Sequence, residues 1–233
     1  MGWLWLSKLV RPPPPQPISN LSVGDIVKVK ESGKDVDYIV VNQGRPSSLY
    51  DESCNGTWLL RKDVYKNRPW HTSGDNYYSS SYINSYLNNS FINNFDGVVQ
   101  SIIKQVKIPY VNGYGSGSGQ YPVASGMNGL SVKIFLLSCY EVGWTSAYDG
   151  ATPPADGSLL SYFGNHGRIA YKDGKVAGWW LRSAYVGNIR VYVVNDVGTG
   201  TVAIVSSGAT SGVRPAFILP FDALVDSNGN IIT

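Results

Sequence analysis

Trp179-Trp180-Leu181-Arg182-Ser183, then Tyr192-Val193, then Gly212-Val213-Arg214-Pro215-Ala216-Phe217 decide how this chain reads. Each is a short apolar or aromatic run bounded by Gly, Asn or Asp, the pattern of strands joined by turns. The spacing predicts strands over Trp179–Ser183, Val191–Asn195, Thr201–Val205 and Val213–Leu219. Just before them, Arg168–Tyr171 runs into Asp173-Gly174, a strong two-residue hairpin signal. Asn228-Gly229 marks one more turn near the end.

Working outward, Ile26, Val27 and Val29 followed by Tyr38–Val41 read as an opening hairpin with Ser32-Gly33 at its turn. Trp58-Leu59-Leu60 is a further apolar patch. Two helices are expected next. Ile83, Tyr86, Leu87 and Phe91 recur at three- and four-residue spacing after serines able to cap. Asp96 can cap a second helix with Val99, Ile102, Ile103 and Val106 on its apolar face and Pro109 as its stop. Asn112–Gln120 is Gly- and Ser-rich and reads as a loop, with no Gly-Lys-Ser/Thr to make it a phosphate cradle. Lys133–Ser138 reads as a strand, Gly143–Gly157 as a loop broken at Pro153-Pro154, and Leu159–Phe163 as one helical turn. Two early helices and a strand-dense end give α+β as the expected class.

At 233 residues the chain is long enough to bury one large core without disulfides. Residues 1–17 read as an appendage: an apolar arm, Met1–Val10, then a stiff spacer of Pro12–Pro15 and Pro17. Residues 18–233 read as one domain. The arm is shorter than the ~20 apolar residues that span a bilayer and lacks signal-peptide features, so no membrane insertion is expected; with its spacer it suits either mounting on a virion or a cell surface or lying on its own domain. A net charge of +3 with no dense basic run argues against nucleic acid as partner.

The C-terminal triplet of motifs resembles the last strands of C-type-lectin-like domains, in the branch that includes formylglycine-generating-enzyme-like domains. Within it, the chain looks like phage and bacterial variable proteins of diversity-generating retroelements. Asn55–Leu60, Tyr86-Leu87-Asn88 and Lys133–Ser138 fit as well, so the likeness covers most of the chain after Leu21. The resemblance implies a fixed scaffold around a segment, Ala184–Ser211, rewritten by error-prone copying at adenines. Such codons never become Lys, Glu, Gln, Met or Trp, and those five types are absent after Trp180.

The implied function is recognition of a protein or glycan on a host or neighbouring cell, without chemistry and without cofactor. Tyr185, Asn188, Arg190, Asn195, Thr199 and Thr201 lead the expected contacts, followed by Val186, Ile189, Val194 and Ala203. Tyr, Asn, Ser and Gly are also the adaptable residues of antibody paratopes. Val202–Val205 either packs inward or forms a sticky patch; the sequence leaves both open.

The catalytic alternative is an enzyme of the formylglycine-generating-like branch or one acting on cell walls. The branch's cysteine pair near the C-terminal strands is missing, since Cys54 and Cys139 are the only cysteines. The calcium-binding triplets of true C-type lectins are missing too. His71 and His166 are isolated, and no metal is expected. Glu141 with Asp149 or Asp156 could be paired for glycosidase chemistry, but no motif stands behind the pairing, and no Gly-x-Ser-x-Gly elbow is present.

Overall fold

A computed structural model describes residues 12–72, 74–112, 122–185, 187–205 and 210–232. The arm Met1–Val10, most of the loop expected at Asn112–Gln120, and Val186 lie outside them. The chain begins with the two-residue strand Gln16–Pro17 (β1), followed by the hairpin of Ile26–Glu31 (β2) and Lys34–Gln43 (β3). Ser32 and Gly33 between them have φ of 53° and 76°, the doubly left-handed turn whose twist suits a tight hairpin. Thr57–Arg61 (β4) pairs with β3 and is buried along almost its whole length, and Asn67–Pro69 (β5) follows.

Tyr82–Asn89 (α1) starts where the Ser81 hydroxyl accepts from Asn84 N, and it buries Ile83 and Leu87. Gly97–Ile102 (α2) is capped by Asp96, whose carboxylate accepts from Val99 N. It stops well before Pro109. Lys104 N donates to Ile218 O, which draws the chain onto a sheet. Val106–Ile108 (β6) then alternates buried, half-buried, buried, the two-residue period of a strand. Val106 therefore fits the helical spacing by coincidence. β6 pairs with Leu130–Val132 (β7), and the expected strand at Lys133–Ser138 shrinks to Ile134–Phe135 (β8).

Tyr171–Lys172 (β9) and Lys175–Val176 (β10) flank Asp173 and Gly174 at φ 51° and 76°. Trp179–Ala184 (β11), Arg190–Val194 (β12), Gly200–Ile204 (β13) and Thr210–Gly212 (β14) follow, then Ala216–Leu219 (β15), Leu224–Val225 (β16) and Ile231–Ile232 (β17). β15 starts later than the run from Val213 suggests, because Pro215 has no N–H to give a ladder.

Two five-stranded sheets organise the core, in the orders β2-β3-β4-β15-β8 and β13-β12-β11-β14-β5. A three-stranded sheet β1-β16-β17 ties the start of the chain to its end, and β9-β10 and β6-β7 are separate ribbons. Among the described strands pairing is antiparallel except where Trp179 meets Gly212 across β11 and β14, and an isolated parallel bridge joins Lys28 to Asn230. Trp58, Trp70, Trp179 and Trp180 are completely buried in one continuous apolar core.

The α+β expectation, and with it the C-type-lectin-like architecture, is overturned: the protein is mostly β, with 35% strand against 17% helix. The described residues contain two α-helices, of eight and six residues. Neither is long enough to form a layer, and the stretch around Val106 expected to continue the second helix forms β6, paired with β7, instead.

Candidate recognition surface

The strand β11 is the floor on which the C-terminal hairpin stands, and all six of its residues are buried. Its Arg182 is buried yet fully employed. It grips Glu141 through two nitrogens at 2.6 and 2.8 Å, and also donates to Leu136 O, Pro109 O and Asp156 O. Glu141 accepts as well from Tyr50 Oη at 2.8 Å and from Ser138 N at 2.8 Å. Asp156 accepts from the Ser183 hydroxyl at 2.8 Å, and that hydroxyl accepts from Cys139 N. Burial pushes the Asp156 carboxyl up to about 7, against the pull of Arg182 and the Ser183 hydrogen bond. The guanidinium thus pairs with the Glu141 carboxylate, which matches its charge, and touches Asp156 only at its backbone carbonyl.

Glu141 and Asp156, two carboxylates of the hydrolytic reading, are therefore brought together, but inside the protein at 0% and 1% exposure. This cluster locks β11 to the loop after β8. Asp149 instead lies on the surface, its carboxylate 3.8 Å from Arg190. His71 is largely buried, with Nε2 3.4 Å from Asp75 and Nδ1 accepting from Thr72 N. His166 stacks on Tyr162 at 4.1 Å. Cys54 and Cys139 are free and buried, and burial raises the Cys54 thiol to about 12. Among the described residues no group of three His, Cys, Asp or Glu is arranged to hold a metal.

Above this floor, β12 and β13 form a hairpin that leaves β13 at the edge of its sheet among the described strands. Its turn is built by Asn195: the side-chain oxygen accepts from Val197 N and Thr199 N, while the amide donates to the Thr199 hydroxyl. Gly198, at φ 78°, takes the left-handed position that this three-residue loop needs. The loop entering β12 is held from below. Asn76, completely buried, donates to the carbonyls of Tyr185, Asn188 and Arg190.

From the side, residues 144–151 wrap the hairpin. Trp144 occupies the space a side chain at Gly200 would need, since a Cβ there would lie 2.1 Å from the indole ring. Its ring meets Tyr192 edge-on at 4.8 Å. Tyr185 Oη donates to Asp149 O, Tyr192 Oη to Ala151 O, and the Thr201 hydroxyl to Tyr148 Oη.

The expected contacts divide accordingly. Ile189 and Thr199 are exposed; Asn188, Arg190, Asn195, Thr201 and Ala203 are half-buried. Tyr185 and Val194 are buried and belong to the frame, so the expectation that they reach a ligand is corrected: Tyr185 is spent on Asp149 O, and Val194 packs in the core. Tyr192 and Val193 are framework, as the sequence suggests. The Val202–Val205 run splits, with Val205 buried, Val202 and Ala203 half-buried and Ile204 exposed.

Val197, at 66% exposure, escaped the sequence reading, and Ile204, at 45%, is the outward member of the Val202–Val205 run whose direction the sequence left open, to set beside Ile189 at 37%. Register reveals Ile204, which stands opposite half-buried Arg190. Val197 is the middle residue of a turn, a position where an apolar side chain has nothing to pack on.

No curated protein and no solved structure matches the chain. A family model described as a domain of unknown function, DUF6273, matches residues 55–221. That span runs from β4 through β15 and so includes the buried cluster, the floor strand and the whole hairpin. The chain belongs to the DUF6273 family.

Proposed function

We propose that this protein is a recognition module that binds a protein or glycan on another cell's surface through the β12–β13 hairpin, without catalysing a reaction. One observation carries the reading: Ile189, Val197 and Ile204 are held outward on a hairpin whose backbone is fixed from below by Asn76 and from the side by Trp144. Aliphatic side chains presented by an immobilised backbone lose little entropy on docking and gain from desolvation. The polar residues among them, Asn188, Arg190 and Thr199, supply the adaptable rim of such a surface, while the Asn195 side chain is spent on the turn.

The same division suits a segment open to diversification, because the residues that vary would not be those that close the core. The absence of Lys, Glu, Gln, Met and Trp after Trp180 is consistent with adenine-directed rewriting. Sequencing the gene in related isolates tests this directly: changes should gather at adenine-bearing codons for the outward positions of 184–211. Even divergence along the gene removes the diversification reading.

Binding itself is tested by incubating labelled protein with a panel of bacterial cells, beside an Ile189→Ser/Ile204→Ser double variant. The reading expects cell attachment that falls at least tenfold in the variant at unchanged melting temperature, about 1.4 kcal/mol of binding. Equal attachment by both proteins contradicts it.

A further inference from the structure

The hairpins β2–β3 and β9–β10 share the same turn geometry but differ in their charge pairing. In the first, Lys28 stands opposite Asp37, Lys30 opposite Asp35 and Glu31 opposite Lys34, with Lys30 Nζ 2.6 Å from the Asp35 carboxylate. In the second, Lys172 stands directly opposite Lys175. Like charges at facing positions oppose strand pairing. The one acid between them, Asp173 at the turn, is spent on Lys172 at 2.9 Å. Among the described residues no carboxylate pairs with Lys175.

These lysines form one wall of a cleft of about 560 Å³, within the roughly 300–1,000 Å³ typical of ligand pockets. Asn67 from β5 and Thr210 and Ser211 from β14 form the other wall, a row of amide and hydroxyl groups. The floor is Gly178 and Gly212. A Cβ on Gly212 would lie 2.5 Å from Gly178 O and 2.6 Å from Val64, so the chains approach here as only glycine allows. The cleft thus sets the unpaired Lys175 ammonium, beside the Lys172–Asp173 ion pair, against neutral hydrogen-bonding side chains, and among the described residues no aromatic ring lines it.

We infer that this cleft binds an anionic glycan, its acid group neutralising Lys175, which Asp173 leaves unpaired, and its hydroxyls meeting Asn67, Thr210 and Ser211. The proposal stands apart from the hairpin reading, since Ile189, Val197 and Ile204 do not line the cleft. A glycan fits better than a single-stranded nucleic acid, which would call for rings on which bases stack.

The test is titration calorimetry of the whole chain with polygalacturonate, with glycerol-phosphate polymer and with neutral dextran. At least one anionic polymer should bind and dextran should not; which one binds separates carboxylate from phosphodiester as the source of charge. Lys175→Glu is the informative variant. It turns the repelling pair into an attracting one, so the melting temperature should hold or rise while affinity falls about tenfold or more. Ile189→Ser/Ile204→Ser should leave this binding unchanged, which keeps failure of the cleft distinct from failure of the hairpin. The proposal is overturned if neither anionic polymer binds, if dextran binds equally, if Lys175→Glu keeps its affinity, or if a single-stranded oligonucleotide binds the cleft more tightly than either polymer.

Discussion

Titrating Asp156 is the sharpest probe of the buried frame. Its carboxyl is raised from an ordinary 3.8 to about 7 by burial, next to an Arg182 whose charge Glu141 already matches. In the unfolded chain the same group ionises near its ordinary value. Between these two values the fold keeps a proton that the unfolded chain has released, so stability must fall as pH rises through this window. The contribution is fully present below about pH 4 and lost above about pH 7, a total of about 4 kcal/mol at 1.36 kcal/mol per unit.

The assay is urea unfolding of wild type and Asp156→Asn at pH about 5 and about 8, taking the difference between the two proteins at each pH. Asparagine stands in for the protonated acid and does not titrate, so subtraction removes every other group. Wild type should lose about 2–3 kcal/mol relative to the variant over that interval. A pH-independent difference, or wild type gaining on the variant as pH rises, would refute the reasoning about this cluster.

Other outcomes follow from the same geometry. Arg182→Met should cost about 3–5 kcal/mol, because it strands the buried Glu141 carboxylate; urea unfolding measures it. Trp180→Ala should cost a similar ~3–5 kcal/mol. Asn188→Ala should leave the melting temperature nearly unchanged, since its buried side-chain oxygen has no hydrogen-bond partner to lose among the described residues. Gly200→Ala should cost about 1–3 kcal/mol by forcing Trp144 off β13, read in the near-ultraviolet circular dichroism of the indole.

Local patterns were legible where one period or one turn rule acts alone. The Ser32-Gly33 and Asp173-Gly174 turns, the Ser81 and Asp96 caps and the run Trp179–Ser183 all form as the residues suggest. The class was not legible, because Val99, Ile102, Ile103 and Val106 satisfy helical spacing while Val106 belongs equally to an alternating strand. The choice between the two is made by a contact distant in sequence, Lys104 N with Ile218 O.

The site was legible as a segment but not residue by residue. Tyr185 and Val194 look like contact residues and are framework: Val194 packs in the core, and Tyr185 is held by Asp149 O in a stretch, 144–151, that reads as a plain loop. Glu141, Arg182 and Asp156 could each be seen in the sequence. Only the fold shows that they meet, and nothing in their spacing predicts it.

The central claim is that the frame does not depend on the hairpin's outward side chains. Randomising Ile189, Val197, Thr199 and Ile204 together, and separately Trp180, Val191, Tyr192 and Val194, then scoring each library for protease resistance, tests it most directly. Most members of the first library should fold as well as wild type and few members of the second should. Comparable losses in both libraries would contradict the account.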